Sequence, residues 1–161
     1  ISIRPIKSED VERCLEIYNY YIENTTVTFE EEPLGVSEFR ERIKRISEKY
    51  PFLVAEEDGN VLGYVYLDEF NPRSAYRFTA DLSVYLDAKA QKRGVGTFLL
   101  KAVEEKGKEC GLRNIVSLIT SENENSVRFH EKNGFELKGK LENVGVKFQK
   151  TLSVFYYQKS I

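Results

Sequence analysis

The stretch Gln91-Lys92-Arg93-Gly94-Val95-Gly96-Thr97 lies between a run of β-forming residues at 82–86 and an apolar-periodic segment that begins at Phe98. This pattern predicts a strand, a short basic loop and a helix. Two glycines at the start of a helix let backbone N–H groups approach a ligand closely, and the helix dipole favours an anion there. A diphosphate therefore fits this loop. The stretch matches neither the dinucleotide G-x-G-x-x-G pattern nor the P-loop, so a tight helix start without a ligand stays an equally good interpretation.

Length and composition restrict the class of protein. The 161 residues, 41% hydrophobic and 31% charged, predict one globular domain over residues 1–161. The net charge of −2 argues against nucleic acid as a partner, and no apolar run approaches the ~20 residues of a membrane span. One histidine excludes a multi-histidine metal site, so we expect no metal. The first residues carry no apolar signal segment, and Cys14 and Cys110 are expected to be reduced and buried, which predicts a cytoplasmic protein.

The apolar periodicity predicts the element order β-α-α-β-β-β-α-β-α-β-β. Ser8 and Ser37 are expected to cap the first two helices, the third runs to about Cys110, and the fourth covers residues 123–133. Strands are expected over residues 1–6, 52–56, 61–67, 78–86, 114–120, 135–146 and 148–158. This alternation is typical of an α/β domain with a mixed sheet.

A second informative stretch runs from Asn123 to Phe135. Asn123 can cap a helix near the carboxyl ends of the preceding strands, where α/β proteins bind ligands. His130 follows seven residues later, on the same helix face. Each residue has an ordinary alternative, because Asn caps are common and a lone His is more often structural than catalytic.

Together the two stretches resemble the GNAT superfamily of acyl-CoA-dependent N-acetyltransferases. That superfamily pairs a Gln/Arg-x-x-Gly-x-Gly/Ala loop with a later Asn-x-x-Ala/Ser-x-x-x-Tyr-x-Lys-x-Gly-Phe helix. Here the motifs read Gln91-Lys92-Arg93-Gly94-Val95-Gly96 and Asn123-x-x-Ser126-x-x-x-His130-x-Lys132-x-Gly134-Phe135. The resemblance implies a single-domain α/β fold with a mixed, mostly antiparallel central sheet flanked by about four helices. A Rossmann-like nucleotide binder becomes the weaker alternative.

Further segments resemble the phosphinothricin and methionine sulfoximine acetyltransferase group. They are residues 18–22, 26–33, 50–55, 73–76 and 126–131. The resemblance implies a homodimer that transfers acetyl from acetyl-CoA to the amine of a small amino-acid-like substrate. Thr151 and Ser153 replace the Trp and Asp with which that group often closes.

The resemblance also implies roles for individual residues. Asp81 stands at the position of the general-base Glu and would act directly or through a water, and His130 stands at the position of the acid Tyr. Arg73 would bind a substrate carboxylate with its guanidinium fork, whereas Arg77 is expected to be solvated. The other substrate-binding residues are expected to be Phe29, Tyr76 and Ser83, with core packing a close alternative for Phe29. The residues expected to bind acetyl-CoA are Val84, Tyr85, Leu86, Lys92, Arg93, Gly94, Val95, Gly96, Thr97 and Asn123.

The chemistry of acetyl transfer agrees with these residue types. An α-amine with a pKa near 8 costs roughly 1 kcal/mol to deprotonate at pH 7, whereas a lysine amine costs roughly 5, so a modest base such as Asp81 suits the α-amine. Two alternatives stay open: an acetyltransferase for protein N-termini or polyamines, and a CoA-binding regulatory module without catalysis. The arginine-bearing loop disfavours a polycation, and the retained Asn123 and His130 disfavour an inactive module.

Overall fold

The computed structural model describes residues 1–161 and has the predicted order of elements. None of its helices combines the length and the apolar character needed to cross a membrane. The helices are α1 (Val11–Asn24), α2 (Val36–Ser47), α3 (Val95–Glu109) and α4 (Glu124–Lys132). The strands are β1 (Ser2–Pro5), β2 (Phe52–Glu57), β3 (Asn60–Glu69), β4 (Thr79–Leu86), β5 (Asn114–Thr120), β6 (Glu136–Lys147) and β7 (Lys150–Ser160).

All seven strands form one sheet in the order β1-β2-β3-β4-β5-β7-β6. Every neighbouring pair is antiparallel except β4 and β5, which confirms the predicted mixed, mostly antiparallel sheet. The parallel pair is short, because only residues 79–81 of β4 pair with residues 114–116 of β5. Beyond Asp81 and Val116 the two strands have no register partners in each other, so a cleft opens between their carboxyl ends.

Helices cover both faces of this sheet. The buried residues of α3 pack on one face together with Ala80 and Leu82 of β4, and Phe129 of α4 packs against the same core. The buried residues of α1 and α2 form a second core on the other face, against which Tyr85 packs. Because side chains alternate along a strand, Asp81 and Ser83 lie on the α1–α2 face with Tyr85.

Several local predictions are confirmed. Residues 57–60 form the expected tight hairpin turn, with positive φ angles of 52° at Asp58 and 82° at Gly59. Gly111 follows α3 with a φ of 89°, as expected for a helix C-terminus. The apolar residues that recur at helical spacing along α1 and α2 are buried in one core.

Three local predictions are wrong. Gly35 rather than Ser37 is the N-cap of α2, since the helix begins one residue before the serine. Ser8 opens a separate 3-10 turn, Ser8–Asp10, whose N-cap is Lys7. Cys110 is exposed, because it lies at the C-cap of α3, beyond the helix face that packs on the sheet, whereas Cys14 is buried as expected.

Candidate active site

The N-terminus of α3 presents free backbone donors to the wide end of the cleft. Gly94 is the N-cap with a φ of 80°, and the first helical hydrogen bond runs from the N–H of Phe98 to the carbonyl of Gly94. The N–H groups of residues 95–97 therefore lack partners within the helix. A Cβ at Gly94 would meet only the ring of Phe98, at 3.8 Å, so the approach to these donors is open. This geometry suits an anion, as the sequence predicts.

Two residues of the basic loop have protein partners that the sequence did not indicate. The guanidinium of Arg93 donates to both carboxylate oxygens of Glu57, at 2.9 and 2.8 Å. Gly96 is buried, and a Cβ there would lie 3.1 Å from the ring of Phe129 and 3.6 Å from Leu86. The missing side chain of Gly96 thus permits close packing of α3 against α4, while its N–H stays at the helix start.

The edge of β4 that faces the cleft has no partner strand from Leu82 to Leu86. The other edge of β4 is paired with β3, and this pairing includes Val84, Tyr85 and Leu86, the residues predicted to bind the ligand. The end of the strand is fixed from both sides, since the hydroxyl of Tyr21 donates to the carbonyl of Leu86 and the N–H of Asp87 donates to Leu62. An extended ligand can add to such an edge as an extra strand.

Asp81 lies at the closed end of the cleft, where the β4–β5 ladder stops. Its register partners are Val116 of β5 and Asp68 of β3. Its Oδ1 is buried and has no hydrogen-bond partner. Burial, together with the negative charge of Asp68, raises the pKa of Asp81 to about 7. A carboxyl group with this pKa can take up and release a proton near neutral pH.

His130 lies on the opposite face of the sheet. Its side chain is buried beneath α4, where Nδ1 donates to the carbonyl of Ser126 at 2.7 Å. That contact fixes the proton on Nδ1, so Nε2 accepts from the hydroxyl of Ser117 at 2.8 Å. Burial also lowers the pKa of His130, which favours the neutral ring. The contacts favour a structural role, and the acid role inferred from the sequence stays a prediction.

Asn123 connects β5 to α4 at the wide end of the cleft. Its Oδ1 accepts from the N–H of Ser126 at 3.3 Å, which confirms the predicted helix cap. Its own N–H donates to the carbonyl of Thr120, the last residue of β5. Asn123 is therefore held beside the cleft by both neighbouring elements.

The predicted substrate-binding residues lie on several elements around the α1–α2 face. Arg73 and Tyr76 are exposed in the β3–β4 loop, and the Arg73 guanidinium has no protein partner. Arg77 is held within the same loop by its bond to the carbonyl of Ser74 and by stacking on Phe78, in keeping with its expected surface position. Ser83 lies opposite Tyr66 in the β3–β4 register.

The segment between α1 and α2 is anchored to the far end of the sheet. Phe29 is 40% exposed and covers Gly145, since a Cβ at that glycine would lie 2.5 Å from its ring. The Nζ of Lys147 is buried and donates to the carbonyl of Thr28 at 2.8 Å. Sequence reasoning missed this contact, because an isolated lysine in a strand normally indicates a solvated side chain.

Comparisons with known proteins agree with this geometry. A family model described as an acetyltransferase (GNAT) domain matches residues 3–153. The chain belongs to the GNAT acetyltransferase family. Its fold, with a cleft between β4 and β5 beside the N-terminus of α3, matches those of solved GNAT structures.

Similar GNAT enzymes carry names from the group indicated by the sequence. The phosphinothricin N-acetyltransferase of Streptomyces viridochromogenes is 34% identical, over 99% of this chain and 87% of that protein. The L-methionine sulfoximine/L-methionine sulfone acetyltransferase of Pseudomonas paraeruginosa is 33% identical, over 99% of this chain and 94% of that protein. A GNAT superfamily phosphinothricin acetyltransferase from Sinorhizobium meliloti, solved in complex with AcCoA, has a TM-score of 0.96 and 31% identity, over 99% of this chain and 88% of that one.

The chain holds no group of three or more His, Cys, Asp and Glu side chains placed to bind a metal ion. Asp81 is the one carboxyl group at the cleft whose pKa is raised into the neutral range by burial. The site therefore offers proton transfer and backbone hydrogen bonding to a reacting molecule.

Proposed function

We propose that this protein is an acetyl-CoA-dependent N-acetyltransferase that acts on the amine of a small amino-acid-like substrate of the phosphinothricin or methionine sulfoximine type. The observation that carries the proposal is the position of Asp81. A half-buried carboxyl with a buried Oδ1 and a pKa of about 7 lies at the closed end of a cleft whose wide end presents the free N–H groups of α3. The names of the similar enzymes support the substrate class.

Acetyl-CoA would lie along the unpaired edge of β4, with its pyrophosphate at the N-terminus of α3. The N–H groups of residues 95–97 and the side chain of Lys92 are free to receive the phosphates. Arg93 would join them by exchanging Glu57 for a phosphate oxygen. Asn123 would contact the ligand from the opposite side of the cleft.

The reaction begins with transfer of a proton from the substrate ammonium to Asp81, directly or through a water. The neutral amine then attacks the thioester carbonyl, whose oxygen is stabilised by N–H groups of the β4 edge. The C–S bond breaks and the thiolate leaves. After the new bond forms, the nitrogen still carries one extra proton, which passes to the leaving thiolate directly or through a water and gives the neutral amide and the free thiol. A thiol with a pKa near 8.5 is mostly protonated at pH 7, which favours this transfer. Asp81 then returns its proton to solvent. An acid role for His130 would require a proton on Nε2, which accepts from Ser117 in the neutral ring.

Arg73 is the proposed carboxylate-binding residue, because its guanidinium is exposed and has no partner in the loop before β4. An amino acid should then be acetylated faster than its amide. Losing the partner of a desolvated charge costs on the order of 2–5 kcal/mol, so the amide should lose at least about thirtyfold in kcat/KM. Arg73→Ala should remove most of this preference and leave the Kd for acetyl-CoA unchanged.

Turnover of acetyl-CoA against a panel of amines tests the proposal as a whole. The panel contains phosphinothricin, methionine sulfoximine, common amino acids and their amides, N-terminal peptides and a polyamine. Preference for the free amino acids supports the proposal. Preference for peptides or polyamines would identify an acetyltransferase for protein N-termini or for polyamines instead. Binding of acetyl-CoA without turnover would identify a regulatory module.

We also propose that the protein is a cytoplasmic homodimer. Strand β6 is an edge strand of twelve residues that is paired on one side only. Its apolar side chains lie in water in the single chain, with Leu137, Leu141, Val144 and Val146 between 46% and 64% exposed. Several exposed apolar side chains on one unpaired strand mark an interaction site. A second copy of the same strand would supply that cover.

A further inference from the structure

We propose that Asp68 is a positioning residue for the base Asp81, and that Arg45 on α2 moderates the charge that Asp68 presents to it. The inference rests on the proposed role of Asp81 and adds two residues that the sequence motifs do not include. Asp68 acts through Asp81 and contacts no substrate in this scheme.

The first observation is the register of β3 and β4. Asp68 and Asp81 are Cα partners in this antiparallel pair, so their side chains lie on the same face of the sheet. The Cβ atoms of directly opposed residues are about 4.5–5.5 Å apart, and like charges at such positions destabilise a sheet. Two carboxyl groups are therefore placed together at an unfavourable position inside the sheet, next to the cleft.

The second observation is the unequal environment of the two carboxyl groups. Asp68 has partners for both oxygens, since Oδ1 accepts from the N–H of Glu69 at 2.8 Å and both oxygens lie 3.4 Å from the Arg45 guanidinium. Asp81 has a buried Oδ1 without any partner. Donors therefore face both oxygens of Asp68, whereas no donor faces the buried Oδ1 of Asp81.

The groups around Asp81 come from several elements. Asp68 faces it from β3. Tyr50, which precedes β2, also lies nearby, and its pKa is raised mainly by burial and then by the charges of Glu69, Asp68 and Asp81. The register partner of Asp81 on β5 is Val116, and the register partner of Val116 on β7 is Gln158. Both are uncharged. Asp68 is thus the neighbour whose charge acts together with burial on Asp81.

This arrangement matters for acceptor activation. A carboxylate with an ordinary aspartate pKa is a weak base for an ammonium group, and a base whose pKa lies near the working pH is more efficient. The negative charge of Asp68 favours the protonated form of Asp81. Arg45 opposes Asp68 and is itself 61% exposed, so it lowers this influence only partly.

The pH dependence of kcat/KM for the best amino-acid acceptor tests the inference. Asp68→Asn keeps the shape and removes the charge, and it should move the acidic limb of the profile to lower pH by about half a unit or more. Arg45→Gln should move the same limb to higher pH. Arg40→Gln serves as the matched control, since Arg40 lies on the same helix but is bonded to Ser8, and its profile should coincide with that of the parent.

Two results would overturn the inference. One is an acidic limb that stays in place in Asp68→Asn. The other is an Arg45→Gln shift that persists in the Asp68→Asn background, because Arg45 would then act independently of Asp68. Asp81→Asn separates this failure from failure of the proposed base: if that variant keeps the parental rate and limb, the base assignment falls. If Asp81→Asn removes the limb while Asp68→Asn leaves it in place, the role of Asp68 alone is wrong.

Discussion

Asp81 shows how a single residue couples the chemistry of the cleft to the stability of the fold. Its folded-state pKa of about 7 lies above the ordinary value of 3.8, so the native state binds more protons than the unfolded state between these pH values. Stability should therefore fall as the pH rises across this window. The protein is therefore less stable at the pH where this proposed base is ionised.

Asp81→Asn should remove this dependence, because the amide does not ionise. We expect the variant to gain stability relative to the parent at pH 8 and to gain little at pH 4, as measured by urea unfolding at both pH values. Asp58→Asn is the matched control, since Asp58 is an exposed turn residue whose positive φ asparagine tolerates. Equal gains of Asp81→Asn at pH 4 and pH 8 would contradict a raised pKa of the Asp81 carboxyl in the folded protein.

The role of His130 can be decided by kinetics. A general acid would lose about 10²–10⁴-fold in kcat on substitution by Ala. The His130 ring is neutral and makes two hydrogen bonds, which favours a structural role instead. We therefore expect His130→Ala to lower stability, because it leaves a cavity and removes both hydrogen bonds. The folded variant should keep a kcat within about tenfold of the parental value. Turnover and chemical unfolding of the same preparation measure both effects. A larger loss of kcat with unchanged acetyl-CoA affinity would restore the acid assignment.

The structural roles of individual residues could be predicted from the sequence where they depend on neighbouring residues. The Asn123 cap depends on residues three positions apart, and the motif position of Asp81 placed it on β4. The partner of Arg93 could not be predicted, because Glu57 comes from another strand, 36 positions away. The same holds for Lys147 and Thr28, which are 119 positions apart.

At the scale of secondary-structure elements, the close approach of α3 and α4 depends on Gly96. The glycine motif alone indicated a phosphate contact, whereas the structure shows that the missing Cβ leaves room for Phe129. The order and type of the elements followed from periodicity, and their ends were predicted within a few residues. The pairing of β4 with β5 over three residues could not be read from periodicity, because it depends on packing between distant segments.

Gly96→Ala should lower Tm, because its Cβ would lie 3.1 Å from the Phe129 ring and force the two helices apart. Phe129→Leu in the same chain should restore part of the loss by making room. Gly139→Ala, where a Cβ would meet nothing within 4 Å, is the control. Thermal unfolding of these variants without ligand gives the answer. A Gly96→Ala protein with parental Tm and weaker acetyl-CoA binding would instead support a role for this glycine in ligand approach alone.

At the scale of the whole molecule, the outer edge of β6 determines the proposed assembly. Val144→Lys and Val146→Lys together should convert a dimer into a monomer, since two buried apolar contacts would be replaced by charges at a symmetric interface. Val36→Lys changes an exposed valine of α2 and should leave the assembly intact. Sedimentation of the parent and both variants over a range of concentrations measures the association. A parent that sediments as a monomer at all concentrations would exclude the homodimer.

The short β4–β5 ladder also has a mechanical consequence. The strands on one side of it, β1 to β4, come from residues 2–86, and those on the other side, β5 to β7, come from residues 114–160. Each half of the sheet is thus one continuous piece of chain. Three residue pairs, the packing of α3, and the contacts of Thr28 and Phe29 with Lys147 and Gly145 join the two halves. A molecule that inserts between the two strands replaces the missing part of the ladder. Its binding would add a further link between the two halves, in the gap that lies beyond Asp81 and Val116.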